Sequence, residues 1–383
     1  MEAEVAAWLV SADAAGWLER ASAEPDPESL AAAARLRKDL PGDLAAAALA
    51  LASLRRAGVR KLGERARDLY LTRDGLEQAT RPAVAAWRAG RFRAAGAEVV
   101  WDLGCGLGLD ALALVDAGIA VTAVERDPAT AILAAANLGE RARVLTADVV
   151  DVVPEIEPGA AVFFDPARRT ARGRSWDVAD LSPSWEFVRG VAEGRVACVK
   201  LGPGVPYSLL PDDAETVWVS ESGDLVEAAV WTGPGTTPRR TALLLPGGHV
   251  LDGGRAELSM GPIGRWLYEA DPAVIRAGAV PTLAALLDAT GIASGVAYLT
   301  ADELVETPYA TAFEVVDHLP YREKDLRAWV KANGVGTLEI KKRGLDVDPA
   351  VLRKRLSPKG PHSATLVLTP SPEGAVALVV RRV

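Results

Sequence analysis

The sequence predicts an α/β protein with a mostly parallel central sheet, a helical N-terminal region and an α+β C-terminal region. Two observations predict this class. Helical periodicity runs through residues 1–93, and short apolar strands alternate with helices from Glu98 onward. Because strands that alternate with helices form parallel sheets covered on both faces, the central region decides the fold class.

The N-terminal region, residues 1–93, repeats apolar residues at spacings of three and four. Asp26-Pro27 and Pro41-Gly42 interrupt the pattern, which indicates several short helices in place of a long one. A last helix is expected from Arg81 to Phe92, with a proline in its first turn, where proline is tolerated.

The central region, residues 94–255, is expected to contain a sheet of seven strands that ends in an antiparallel hairpin. The expected strands are Val99–Leu103, Ile119–Val124, Ala142–Leu145, Ala161–Phe164, Val196–Lys200, Thr216–Ser220 and Leu225–Trp231. Helices are expected over Asp110–Ala117 and Pro128–Asn137, and the short segment Thr241–Leu244 can extend the sheet.

The rest of the chain is expected to form a helical connector over residues 256–309 and an α+β domain over residues 310–383. The connector prediction depends on Trp266–Leu287, which is interpreted as largely helical. Asp348-Pro349 marks a helix start, because aspartate caps a helix and proline suits its first turn. The strands expected in the last domain include Thr337–Lys341 and Thr365–Leu368.

Composition and charge limit the possible classes of protein. With 383 residues, 49% hydrophobic and 25% charged, the chain matches a soluble globular protein of two or three domains. Its net charge of -8 argues against a uniformly basic nucleic-acid coat, yet from Tyr321 to Lys359 eleven Lys/Arg oppose only five acids. Two cysteines indicate a reducing cytoplasm, no membrane segment is expected, and three scattered histidines imply no metal.

A glycine-rich turn, Asp102–Gly108, joins the first predicted strand to a helix. Glycines let the backbone approach a ligand closely, and the helix N-terminus offers free amides. The spacing is G-x-G-x-G, and Leu109 stands where a dinucleotide fingerprint has its third glycine. Glu125, Asp148 and Asp165-Pro166 end or follow the next three strands, where open α/β sheets bind ligands.

In this combination, residues 70–235 resemble the class I S-adenosylmethionine-dependent methyltransferases, which have a Rossmann-like core. The resemblance implies S-adenosyl-L-methionine as the cofactor, with the glycine turn at its methionine end. Glu125 would hold the ribose, and Asp148 with Val149 would flank the adenine. The implied cofactor-binding residues are Gln78, Thr80, Asp102, Gly104, Cys105, Gly106, Gly108, Glu125, Arg126, Asp148 and Val149.

Simpler roles remain open for these residues. The glycines can merely form a turn, Glu125 can cap the following helix, and Asp148 can be an ordinary loop acid. Cys105 is interpreted as a small residue of the turn and not as a nucleophile, because methyl transfer to nitrogen needs none and no histidine is nearby in the sequence.

The segment Leu71–Thr80 precedes the core and resembles the corresponding segment of RNA methyltransferases related to trimethylguanosine synthase, which packs over the cofactor. The resemblance implies that Gln78 and Thr80 hydrogen-bond the methionine carboxylate or the ribose. Thr80 directly before Arg81 is equally suited to cap a helix, and the two roles are compatible.

The segment Phe163–Arg169, FFDPARR, ends the fourth predicted strand with an acid, a proline and two arginines. In amino-methylating enzymes this position often holds Asp/Asn-Pro-Pro followed by an aromatic residue, and the acid and a constrained carbonyl accept hydrogen bonds from the target amine. The resemblance therefore implies Asp165 and Pro166 as catalytic residues. Arg168 replaces the aromatic residue and can stack on a base or bind a phosphate.

This segment departs from the family pattern, because Ala167 replaces the second proline, and the departure leaves the acceptor atom open. Trp176 and Trp185 are candidates for the missing aromatic platform, and both equally suit ordinary packing. The arginines from Arg168 to Arg174 are compatible with a polyanionic substrate or with a solvated loop.

The basic C-terminal segment alternates apolar and charged residues over Leu338–Gly344, and Arg353-Lys354-Arg355 lies on a predicted helix. Residues 310–383 resemble the THUMP-like domain that is fused to such methyltransferases in bacteria. The resemblance implies RNA as the substrate class, since cations that contact phosphates give affinity without reading sequence. The predicted RNA-binding residues are Arg169, Lys341, Lys342, Arg343 and Arg353. A solubilising charged face is the alternative.

The leading hypothesis from the sequence is an RNA methyltransferase that modifies a base nitrogen. A uridine C5-methyltransferase is disfavoured, because that chemistry needs a cysteine nucleophile and none follows Asp165 closely. Two alternatives stay open: a small-molecule methyltransferase with the same cofactor site, and an RNA-binding protein whose cofactor pocket is a relic. The sequence leaves the RNA species, the methylated position and the oligomeric state open.

Overall fold

The computed structural model describes residues 1–168, 181–254 and 257–383. They form two compact units. The first unit comprises Met1–Glu215 and Glu227–Pro238, and the second comprises Thr216–Val226 and Arg239–Val383. None of the helices in the described residues is both long enough and apolar enough to cross a membrane.

The N-terminal region is helical, as the periodicity predicts. Its helices are α1 (Ala3–Leu9), α2 (Ala15–Ala23), α3 (Leu30–Leu36), α4 (Gly42–Leu62), α5 (Arg73–Gln78) and α6 (Pro82–Ala94). Both predicted interruptions are confirmed. Ser29, after the first interruption, caps α3 by accepting a hydrogen bond from the Ala32 amide, and Pro41 precedes α4.

Strands and helices alternate in the region that follows. The strands are β1 (Val99–Leu103), β2 (Ala120–Glu125), β3 (Arg143–Thr146), β4 (Ala161–Phe164), β5 (Ala167–Arg168), β6 (Leu181–Ser182), β7 (Ala197–Leu201), β8 (Glu215–Glu221), β9 (Asp224–Thr232), β10 (Arg239–Leu245) and β11 (His249–Asp252). The helices are α7 (Leu109–Asp116), α8 (Pro128–Leu138), α9 (Val149–Val152) and α10 (Trp185–Ala192).

Among the described residues, nine of these strands form a sheet in the order β11-β10-β8-β9-β7-β4-β1-β2-β3. The neighbours from β3 to β7 are parallel, and β9 runs antiparallel to β7. The mostly parallel core predicted from the alternation is confirmed. The seven predicted strands are present, and β10 and β11 add two more.

The register of the parallel strands brings their carboxyl ends to one edge. Leu103, the last residue of β1, pairs with Val124 of β2 and with Phe164 of β4. The residues that follow these strands therefore emerge side by side. Because β1 and β4 are almost wholly buried, this edge is built on a rigid, apolar base.

The second unit contains a sheet in the order β13-β14-β12-β15-β18-β17-β16. Its strands are β12 (Trp266–Ala270), β13 (Thr290–Gly291), β14 (Tyr298–Ala301), β15 (Ala310–Pro320), β16 (Val335–Lys342), β17 (His362–Ser371) and β18 (Gly374–Arg382). Its helices are α11 (Pro272–Ala277), α12 (Val280–Leu287), α13 (Glu323–Ala332) and α14 (Pro349–Leu356).

The expected helix over Trp266–Leu287 is wrong at its beginning, since residues 266–270 form β12. This strand lies between β14 and β15 and pairs antiparallel with both. Helix propensity in a short apolar run is a weak preference, and two neighbouring strands outweigh it. The segment predicted as a helical connector therefore contributes strands to the same sheet as β15 and β18.

Helices α13 and α14 bury their apolar sides against the sheet of the second unit. Leu326 and Val330 of α13 pack in one cluster with Leu352 and Leu356 of α14. The cations of both helices are consequently directed away from this cluster and are exposed. The predicted helix start at Asp348 is confirmed, since its carboxylate accepts hydrogen bonds from the first amides of α14.

Candidate cofactor and active site

The glycine turn after β1 has the conformation of a close-approach loop. Gly104 and Gly108 have φ values of 98° and 76°, in the region that favours glycine. A Cβ built on Gly106 would meet no atom within 4 Å, so the middle of the turn faces open space. A Cβ on Gly104 would lie 3.6 Å from the carbonyl oxygen of Asp165, which places the ends of β1 and β4 together.

Glu125, at the end of β2, holds this turn in place. The Gly106 amide donates to Oε2 of Glu125 at 3.0 Å, and the Asp127 amide donates to Oε1 at 2.8 Å. Asp127, and not Glu125, caps α8 by accepting from the Thr130 amide. The alternative in which Glu125 caps the helix is therefore wrong, and its contact to the ribose remains a prediction.

Asp148 and its neighbours lie at the end of β3. The Asp148 carboxylate caps α9 by accepting from the Val150 amide at 3.0 Å, and Val149 is buried. The exposed Arg126 lies 3.8 Å from Asp148. These residues occupy the edge of the sheet next to Glu125, where the adenine contact was predicted.

Asp102, the last polar residue of β1, is a buried acid. Its side chain is 1% exposed, and neither carboxylate oxygen has a hydrogen-bond partner among the described residues. Burial, together with the charges of Asp110 and Asp165, holds the pKa of Asp102 well above its usual range. A buried acid without a partner, beside an open glycine turn, fits a ligand that brings a positive charge.

Thr80 joins two charged residues that the sequence analysis did not select. Its hydroxyl donates to Oδ2 of Asp110 at 2.6 Å and accepts from Nζ of Lys200 at 3.0 Å. Lys200 also donates to Oδ2 of Asp165 at 2.6 Å. The N-cap position of α6 is occupied by Arg81, and its side chain caps no amide of the helix. Thr80 lies one residue earlier, so the alternative in which Thr80 caps α6 is wrong.

Arg88 extends this set of contacts into the core. Its Nε donates to Oδ1 of Asp110 at 3.1 Å, and its two terminal nitrogens bind both oxygens of Glu227 at 2.8 and 3.0 Å. Arg88 is 1% and Glu227 3% exposed, so each neutralises a charge that could not otherwise be buried. A single charge inside an apolar run, as in AAWRAG or LVEAAV, is the sequence signal that could have found them.

The charged groups around Lys200 shift one another's pKa values. Burial alone would lower the pKa of Lys200, but Asp165, Asp110 and Glu227 outweigh it and raise that pKa to about 12. Burial would raise the pKa of Asp110, but Arg88 and Lys200 lower it overall. The partial burial of Asp165 raises its pKa, and Lys200 opposes that shift. Lys200 is therefore cationic at neutral pH.

The remaining residues of the predicted site are placed as follows. Pro166 is buried beside Asp165, whereas Gln78 is exposed at the end of α5. The backbone of Arg168 pairs with Leu181 in the short ladder of β5 and β6. Trp185 is 9% exposed, which favours packing over an open stacking platform. The side chain of Arg168, and the residues Arg169 and Trp176, lie outside the described residues.

Both cysteines are protonated thiols at neutral pH. Burial raises the pKa of Cys105 well above its usual range and raises that of Cys198 to about 12. Cys105 lies in the glycine turn, as predicted, with its Sγ 3.6 Å from the Gly106 carbonyl oxygen. Within the described ranges, no cluster of three His, Cys, Asp or Glu side chains is arranged to hold a metal.

The predicted RNA-binding cations of β16, its C-terminal end and α14 differ in their surroundings. Lys341 donates to Glu269 at 2.8 Å, and Arg343 lies 3.6 Å from the same carboxylate. Lys342 is exposed, while the exposed Arg353 donates through Nε to the Leu338 carbonyl at 2.7 Å. Lys341 and Arg343 therefore share one carboxylate inside the second unit, and Lys342 and Arg353 are the exposed members of the set.

Comparison with known proteins identifies the family. A family model described as THUMP domain-like matches residues 310–382. An uncharacterised S-adenosylmethionine-dependent methyltransferase of Mycobacterium tuberculosis, present in two strains, is 31% identical over 339 residues, which cover 85% of this chain and 93% of the relative. A protein from Porphyromonas gingivalis W83 assigned to the methyltransferases has the same fold, with a TM-score of 0.80 and 23% identity over 100% of this chain and 98% of that one. This chain therefore belongs to the S-adenosylmethionine-dependent methyltransferases and uses S-adenosyl-L-methionine as its cofactor.

Proposed function

We propose that this methyltransferase acts on RNA and modifies a base nitrogen that Asp165 orients. The position of Asp165 carries the proposal. Its carboxylate follows β4, its carbonyl faces Gly104 of the glycine turn, and its side chain is 37% exposed. An acid at this edge can accept a hydrogen bond from an amine that enters from solvent.

The residues at the sheet edge fit the cofactor. S-adenosyl-L-methionine supplies a methyl group on a positively charged sulfonium and also carries an ammonium group. The partnerless carboxylate of Asp102 suits a cation, and the open turn around Gly106 suits a close backbone approach. Glu125 would hold the ribose, and Asp148 with Val149 would flank the adenine.

Asp165 would act by positioning. A carboxylate that accepts a hydrogen bond from an N–H group fixes the direction of the nitrogen lone pair, and such alignment can remove several kcal/mol, about 7–11 at most, from a barrier. Pro166, buried directly after it, stiffens the backbone at this point. The acceptor is thus a nitrogen that carries a hydrogen and lies at the edge of a base.

RNA as the substrate class is supported by the second unit. The THUMP domain-like match covers residues 310–382, and the segment Tyr321–Lys359 inside it is basic in an acidic chain. The cations of α13 and α14 are more accessible to phosphates than Lys341 and Arg343, which are half-buried beside Glu269. These exposed cations are Lys324, Arg327, Lys331, Arg353, Lys354 and Arg355. Arg327 and Arg355 both pair with Glu323, but at the exposed surface.

The test is methyl transfer from tritiated cofactor to bulk RNA by the full chain and by Asp165→Ala. We expect a loss of rate of about 100-fold, because a small misplacement of a reacting group costs about that factor. Cofactor affinity, measured by calorimetry, should change little. Glu186→Ala, an exposed acid on α10, serves as the control and should leave the rate unchanged.

Mass spectrometry of nucleosides from a strain that lacks the gene would identify the base and the atom. A missing N-methylated nucleoside supports the proposal. Tight cofactor binding without label in any RNA pool would contradict it, and so would an Asp165→Ala protein with the full rate.

A further inference from the structure

Asp165 uses its two carboxylate oxygens differently. Oδ2 accepts from Lys200 at 2.6 Å, whereas no described residue donates a hydrogen bond to Oδ1. The Asp165 side chain is 37% exposed, and that of Lys200 is 16% exposed. Lys200 therefore occupies Oδ2 of the partly exposed carboxylate, and Oδ1 is left for another donor.

Lys200 is itself held by a second contact. It donates to the Thr80 hydroxyl at 3.0 Å, and that hydroxyl donates onward to Asp110 at 2.6 Å. The hydroxyl hydrogen is thus committed to Asp110, which leaves a lone pair directed at Lys200. The Lys200 ammonium is consequently fixed between two acceptors on different segments.

The contacts continue from Asp110 to two more charged residues, Arg88 and Glu227. Asp110 on α7 accepts from Arg88 on α6, and Arg88 binds Glu227 on β9 through two hydrogen bonds. The charges alternate along this chain of contacts, so each carboxylate has a cation next to it. Hydrogen bonds that link such charges to one another restrict each side chain to one arrangement.

We propose that Lys200 is a positioning residue of the methyl-transfer site, which keeps Asp165 ionised and presents its Oδ1 to the acceptor amine. This inference rests on the proposed function, because it assumes that Asp165 meets the acceptor. Lys200 is in turn held by its hydrogen bond to Thr80, which is linked through Asp110 to Arg88 and Glu227.

The electrostatic consequence has a definite sign. Asp165 is faced by Lys200 and Arg88, which lower its pKa, and by Asp110, which with burial raises it. Asp102 on the neighbouring strand is also close enough to be affected by Asp165. Loss of the Lys200 charge leaves Arg88 as the cation that still lowers the pKa of Asp165, so Asp165 would hold its proton to higher pH.

The experiment compares Lys200→Gln with Lys200→Arg in methylation of bulk RNA. For Lys200→Gln we expect kcat to fall ~10–100-fold, with KM for RNA and cofactor affinity changed less than ~3-fold. The acid limb of the pH–rate profile should move to higher pH. Lys200→Arg, which keeps the charge, should leave that limb in place. A Lys200→Gln profile with the wild-type limb would overturn the proposal.

A second measurement does not depend on the acceptor. In protein labelled with ¹³C at aspartate carboxyls, the Asp165 signal is the one lost in Asp165→Asn. Its titration midpoint should rise in Lys200→Gln and not in Lys200→Arg. An unmoved midpoint overturns the role of Lys200 whatever the substrate is, whereas a moved midpoint without RNA methylation overturns only the acceptor class.

Thr80→Val provides a variant should Lys200→Gln not fold. It removes the hydroxyl between Lys200 and Asp110 but keeps both charges and the side-chain volume. We expect a fall in kcat of about 3–10-fold with an unchanged KM for RNA, because Lys200 is less well fixed. An unchanged kcat would overturn the support through Thr80, and Thr80→Ser should restore the wild-type rate.

Discussion

The sheet edge of the first unit and the helices α13 and α14 of the second unit use charge in opposite ways. At the sheet edge the charges are buried: Arg88 is 1% exposed and bonded at three nitrogens. On α13 they are exposed: the side chain of Arg327 is 57% exposed and pairs with Glu323 one turn away. Buried charges define a geometry at a cost in desolvation, whereas exposed cations act over distance on any polyanion.

The largest expected effect is on the free energy of unfolding, which should depend much more on a buried charge than on an exposed one. Arg88→Met leaves Glu227 buried without its bidentate cation and Asp110 with Lys200 alone, so the free energy of unfolding should fall by about 3–5 kcal/mol. The matched change Arg327→Met removes an exposed pair and should cost less than about 0.5 kcal/mol. Urea denaturation followed by circular dichroism measures both. Equal losses of unfolding free energy in the two variants would contradict the distinction between buried and exposed charges.

A smaller effect is expected on RNA affinity and concerns the exposed cations alone. Replacement of Lys324, Arg327 and Lys331 by alanine should reduce the slope of log affinity against log salt by about 2–3, if each contacts one phosphate. The control replaces the same number of exposed cations in the first unit, Arg37, Lys38 and Arg60. Fluorescence anisotropy with labelled RNA measures the slope, and an equal reduction in the control would argue against a defined surface on α13.

The smallest expected effect tests the buried acid without a partner. Because the folded-state pKa of Asp102 is raised, the folded chain binds a proton that the unfolded chain releases. The stability linked to Asp102 is therefore present at low pH and lost as the pH rises above the ordinary value of 3.8. Asp102→Asn removes this dependence and should raise Tm more at pH 8 than at pH 5, without added cofactor. Asp346→Asn, an exposed change, is the control; a pH-independent difference for Asp102→Asn would contradict the prediction.

Local patterns in the sequence were sufficient to predict the strands of the parallel core. The alternation of apolar strands and helices predicted β1 to β4 and β7, and the glycine turn lies where the G-x-G-x-G spacing placed it. The strand over Trp266–Ala270 was missed, since a short apolar segment suits either structure until neighbouring strands pair with it. The pairing of Lys341 was also missed, because its partner Glu269 lies 72 residues away in the sequence.

The sequence by itself determined where the parallel strands lie along the chain and which residues end them, because periodicity and turn chemistry act over a few residues. Only the tertiary structure decided which charges meet. Arg88 and Glu227 are 139 residues apart, and Lys200 and Thr80 are 120 residues apart. Burial makes such pairings obligatory once the chain is folded, but no local pattern specifies the partner.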